Sequence, residues 1–116
     1  MGERRRSPEL EAQGRGKAFL TSFAKANKGK APDPYSVYAA QATIALLSAI
    51  SKSDGSRASV TSQIFKVTLT NSILGNLAFN AQGDVTGGPV AIYRIKGGKS
   101  TDYTVIYPPE ALVKAA

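Results

Sequence analysis

The chain has no cysteine and no histidine. Those two absences remove the usual general base near neutral pH, the thiolate nucleophile and the common zinc ligands together. Disulfides cannot report its redox compartment. No apolar run reaches the length of a membrane span. The opening MGERRRSPEL has basic residues with no apolar stretch behind them, so it does not read as an intact secretory signal. Acidic residues are few, 8 against 15 Lys and Arg, and they do not cluster as a hydrolytic carboxylate pair would.

What is present is enough for one small domain. With 116 residues and 42% apolar content the chain can bury a core, although its stability will be modest. The net charge of +7 is placed unevenly: residues 1–30 hold eight Lys or Arg and three Glu. A basic arm of this kind can contact phosphates or an anionic surface. A solvated leader over residues 1–16 is the simpler reading, because aromatic residues do not interleave with the cations to stack on bases. A short turn at SPEL, with Ser7 as cap and Pro8 at the first helical position, is the only order expected there.

From residue 17 the patterning is helical. GKAFLTSFAKANKGK places Phe19, Phe23 and Ala26 on one face, carries Lys25 and Lys28 near its end and stops at Gly29. APDPYSVYAAQATIALLSAISKSDG begins with Asp33 as cap and Pro34 at the first helical position. From Val37 to Ile50 only Gln41, Thr43 and Ser48 interrupt the apolar residues, which predicts a helix buried on more than one side. Such a helix needs more cover than this chain supplies, so self-association is expected. Gly55 ends the segment. Ser56 caps a third, weaker helix through about Val67, with Val60, Ile64 and Val67 on one face.

The last third changes to period two. NLAFN, PVAIYRIKG and TDYTVIYP read as three strands of a short meander, the last closed by Pro108-Pro109. Gly97-Gly98 is a two-residue hairpin signal between the second and third strands. Helices first and strands last predict an α/β chain, α+β within this segment: two to three helices followed by a β meander.

Leu77 to Ser100 holds five glycines and ends in Gly-Lys-Ser. A phosphate-binding loop of the G-x-x-x-x-G-K-[ST] type would need glycine at position 93, which is Tyr93, and a helix after Ser100, where a strand is expected. NAQGD spaces Asn80, Gln82 and Asp84 like oxygen ligands of a calcium loop, but the acidic ligand expected near position 91 is Ala91. A turn with Gly83 at positive φ fits better. Ser48 and Ser51 lie near Lys52, yet on a helix whose neighbours are core residues, so no catalytic residue, cofactor or metal site is assigned.

Taken in order, GKAFLTSFAKANKGKAPDPYSVYAAQATIALLSAI, a short helix and GNLAFNAQGDVTGGPVAIYRIKGGK resemble the C-terminal part of the type I periplasmic substrate-binding proteins of the branched-chain amino-acid ABC transporter family. The resemblance covers roughly residues 16–100. Its elements are the GKAF helix, the P-D-P-Y start of the apolar helix and the G-x-x-x-F-N-x-x-G-D passage from Gly75 to Asp84. It implies part of one lobe plus the hinge region of a two-lobed receptor, over residues 17–110 with a tail at 111–116. It also implies a periplasmic or extracellular location and two partners for the parent: a small apolar amino acid and a transporter permease. Family members are far longer, and the Ser and Thr groups that hold the ligand's charged ends lie in a lobe this chain lacks. One contact carries over: the aromatic residue at the start of the apolar helix, here Tyr35, would line the cleft. The competing reading packs Tyr35 as a helix-start staple. A small basic nucleic-acid-binding or protein-interaction module is the alternative function.

Overall fold

In a computed structural model of the chain, residues 14–113 are described. Three helices come first: α1 (Gly14–Ala26), α2 (Pro34–Ser51) and α3 (Arg57–Ile64). Four strands follow: β1 (Thr68–Ser72), β2 (Gly75–Ala78), β3 (Val90–Lys96) and β4 (Lys99–Ile106), then a helical turn α4 (Glu110–Val113). They form two separate antiparallel pairs, β1–β2 and β3–β4. The architecture is thus a small mixed α+β domain. The SPEL turn and most of the basic leader lie outside the described residues.

Helix ends follow local chemistry. α1 begins at Gly14, earlier than residue 17, and its inner face is Gly16 and Leu20 with Phe19 and Phe23 half-buried beside them; Ala26 is exposed. Its C-terminus closes with Gly29 N–H donating to the Ala24 carbonyl at 2.8 Å. That is the six-to-one bond of a Schellman cap, and the residue at its left-handed position is Lys28 (φ 54°), with Gly29 following at φ 81°. α2 starts as the sequence indicates: Asp33 is extended (φ −66°, ψ 147°), and its carboxylate accepts from Tyr35 N–H. At α3, Ser56 Oγ accepts from Ser59 N–H at 3.2 Å, and Asp54 Oδ1 accepts from Ser56 N–H at 2.8 Å. The bonds to Ser56 hold the Asp54 carboxyl below the ordinary aspartate range.

Three expectations are corrected. The apolar helix α2 is not buried on several sides. Only Val37, Gln41, Ala45 and Ala49 are buried, a single stripe at four-residue spacing. Leu46, Leu47 and Ile50 are exposed to 47%, 58% and 44%. The third helix ends at Ile64, and Val67, although buried, follows a turn that leads into β1, its N–H donating to the Ile64 carbonyl at 3.2 Å. The three-strand meander is instead two hairpins, because NLAFN pairs with the unanticipated strand β1, through Thr68↔Ala78, Leu69↔Leu77 and Ser72↔Gly75.

The core is small and divided. One cluster joins Val37 and Ile73, with Phe19, Ala40 and Leu74 packed against them. The other joins Ala45, Ala49 and Val67, covered by Val60, Ile64, Leu69, Leu77 and Phe79. Alanine at 45 and 49 brings the β1 side of the chain close to the helix backbone. The β3–β4 ribbon stands apart from both clusters, turning through Gly97 and Gly98 at φ 58° and 72°, the pair of positive angles that a two-residue hairpin turn requires. The Arg94 guanidinium lies 4.0 Å from the centre of the Tyr103 ring across this ribbon. The radius of gyration, 16.4 Å, exceeds the roughly 13 Å of a compact domain this size.

The NAQGD corner is a tight turn. Asn80 Oδ1 accepts from the backbone N–H groups of Gln82 (3.0 Å) and Asp84 (2.9 Å), and Phe79 bridges Val85. Gly83 sits at φ 91°. A Cβ there would meet Phe65 Cε1 at 3.5 Å, an ordinary contact, so the backbone angle decides the effect of substitution. Gly83→Val is expected to destabilise the fold by about 1–2 kcal/mol, read by chemical denaturation; a change under a few tenths would contradict the strained angle.

Candidate functional site

The residue singled out for ligand contact, Tyr35, occupies the first turn of α2. Its position follows from the cap: Asp33 holds Tyr35 N–H at 3.0 Å, and Pro34 fixes the turn between them. The side chain is 82% exposed. It therefore does not pack as a helix-start staple, and its ring is free to form part of a wall.

A second feature was not anticipated. An open concavity of about 980 Å³ lies between the start of α1, the β1–β2 hairpin and the approach to β3. This is at the large end for small-molecule clefts. Leu69, Leu74, Leu77 and Tyr107 give its apolar surface; Thr68, Thr70, Asn71, Asn76 and Thr86 give hydroxyl and carboxamide groups. Among the described residues Arg15 is the one charged residue lining it. Asn71 has φ 50°, and its backbone N–H donates to Asn76 Oδ1 at 3.1 Å, so the Asn76 carboxamide is held at the hairpin's bulge. Such a surface can hydrogen-bond a polar solute and attract a negative group to Arg15. Tyr35 does not line it, so the structure does not bring the two features together.

The hairpin that floors the concavity is fastened to α2 from behind. Gln41 and Ser72 are 5% and 4% exposed. Ser72 Oγ donates to Gln41 Oε1 at 2.7 Å, and the same oxygen faces Leu74 N–H at 3.5 Å. Gln41 interrupts the apolar helix in sequence, yet its role becomes visible only once β1 is recognised. The alternation of Thr68, Thr70 and Ser72 with Leu69 and Ile73 was the available sign of that strand.

The other motifs resolve into local structure. Gly97-Gly98 is a hairpin turn with Lys99 and Ser100 opening the next strand, not the strand-to-helix passage of a phosphate loop. The Asn80 oxygen is engaged by two backbone amides of its own turn. Ser51 Oγ donates to the Ser48 carbonyl at 2.8 Å, a bond within the helix end. Among the described residues no helix is long and apolar enough to cross a membrane, and no group of three or more acidic residues is placed to hold a metal ion. No protein-family model, curated protein or solved structure matches the chain.

Replacing Gln41 by Leu is expected to cost about 1–3 kcal/mol, because the Ser72 hydroxyl is left buried without its acceptor. Adding Ser72→Ala should return part of that loss, since the buried hydroxyl is then removed together with its acceptor. Equal and additive losses in the double-mutant cycle would show that the two residues do not act together.

Proposed function

We propose that the chain supplies part of one lobe of a two-lobed solute receptor, of the type that delivers branched-chain or related amino acids to an ABC transporter, and that it binds without catalysis. The carrying observation is Tyr35: an aromatic ring 82% exposed on the first turn of α2, immediately after the Pro-Asp-Pro loop. An exposed aromatic at a capped helix start is a rigid, low-entropy wall for an apolar side chain. Further support comes from the Asn80–Asp84 turn, a structural corner at the place where the resemblance puts one. On this reading the receptor works outside the cytoplasm and hands its solute to a membrane permease, and closure of two lobes completes the site.

The reading has a physical consequence for the chain alone. An amino acid gives up hydration of its ammonium and carboxylate when it is enclosed, and both must be paired again. Tyr35 carries no charge to offer either group. The chain by itself is therefore expected to show no binding of leucine, isoleucine or valine up to millimolar concentration in calorimetry. With the complementary lobe of such a receptor supplied, binding should appear, and Tyr35→Ala should weaken it by about 1–3 kcal/mol. Micromolar affinity of the chain alone for any of the three would overturn the proposal.

A further inference from the structure

The outward side of α2 carries Tyr35, Ala39, Ala42, Thr43, Leu46 and Ile50, all exposed. Tyr35, Ala39, Ala42 and Leu46 follow the four–three–four spacing of a helix-pairing seam. The stripe has a property that a general sticky face need not have. The bulky Tyr35 and Ile50 stand at its ends and the small Ala42 and Thr43 at its middle. Turned end for end about a point between positions 42 and 43, it matches itself: Tyr35 meets Ile50, Ala39 meets Leu46, and Ala42 meets Thr43. We propose that this face of α2 is a homodimer interface, in which two copies of the chain pair their α2 helices antiparallel about a two-fold axis at that point.

Three observations favour a second copy as the occupant. The first is shape: an isologous interface must be self-complementary, and here Leu46 falls opposite Ala39 and Ala42 opposite Thr43, with Tyr35 and Ile50 closing each end. The second is polar satisfaction. The one hydroxyl in the middle of the stripe, Thr43 Oγ1, already donates to the Ala39 carbonyl at 2.9 Å. Covering the centre of the seam therefore strands no hydrogen-bonding group. The third is charge. The chain carries +7, yet α2 has no charged residue from Pro34 to Ser51, so the contact juxtaposes no like charges along its length. Just beyond the helix, antiparallel pairing sets Asp33 of one copy level with Lys52 of the other, at both ends. Parallel pairing would instead set each beside its like. These end charges choose direction more than they add strength.

A single pair of 18-residue helices is about 27 Å long and lies at the small end of stable interfaces, so the dimer is expected to form in the micromolar range. This proposal does not depend on the ligand reading; a chain that binds no amino acid can still pair.

The chain's lack of cysteine makes the test direct, because any introduced thiol is the only one present. Thr43→Cys should cross-link to a dimer under mild oxidation. Tyr35→Cys should not cross-link to itself, since the two copies of position 35 lie roughly 22 Å apart along the axis, beyond disulfide reach. Mixed Tyr35→Cys and Ile50→Cys chains should cross-link to each other. Sedimentation of the full chain should show a monomer–dimer equilibrium, with Leu46→Glu weakening it at least about tenfold while the circular dichroism stays unchanged. A wild-type monomer at high micromolar concentration would overturn the proposal. So would efficient Tyr35→Cys self-cross-linking, which would mean parallel pairing, or protection of the α2 face only after another receptor lobe is added.

Discussion

The hydrogen bond from Ser72 to Gln41 is the constraint around which the rest of this structure is arranged. α2 offers one buried stripe, Val37, Gln41, Ala45 and Ala49, and places an amide in the middle of it. A strand that slid by one residue along that stripe would turn Ser72 away and bury Gln41 without its partner. The bond thus selects one register of the β1–β2 hairpin on the helix. It also divides the apolar core, with Val37 and Ile73 on one side and Ala45, Ala49 and Val67 on the other. Its contribution lies more in specificity than in strength, because the net gain from a hydrogen bond is small while the loss from breaking a buried one is not.

That arrangement leaves the molecule thinly covered. Among the described residues, two of the six buried apolar side chains are alanines, and Val37 and Val67 are the largest that are fully enclosed. The outward apolar residues of α2 remain in solvent. The β3–β4 ribbon exposes Tyr93, Ile95 and Tyr103, and a two-stranded ribbon without a packed face is marginal in water. Self-pairing through α2 and incorporation into a larger receptor lobe are two ways of supplying the same missing cover. Both proposals start from an 18-residue uncharged helix whose buried residues, among those described, form one stripe.

Much of the local structure was legible in the residues themselves. Asp33-Pro34 and Ser56 specified two helix starts, Gly83 a left-handed turn position and Gly97-Gly98 a hairpin, each through chemistry confined to a few neighbours. What could not be read was non-local. β1 follows directly on Val60 and Ile64, whose spacing continues a helical pattern through Val67, and its own polar residues hide its pairing with β2. The burial of α2 was overestimated because an apolar composition reports what a helix could bury, not what the rest of the chain supplies. The concavity joins Arg15 to hairpin residues more than fifty positions away, so no motif announces it. Tyr35 was singled out by its place at the start of the apolar helix, and its exposure speaks against the staple.

If the stability of the chain resides in the Gln41-centred seam, native-state hydrogen exchange resolved by residue should reveal it. Amides of α2 between Gln41 and Ala49, together with those of β1 and β2, should exchange last and at a common opening free energy. Those of β3 and β4 should exchange by local opening, well before global unfolding. Protection of the β3–β4 ribbon equal to that of α2 would contradict the seam as the organising element, and would place the cooperative core in a part of the molecule where almost no apolar surface is buried.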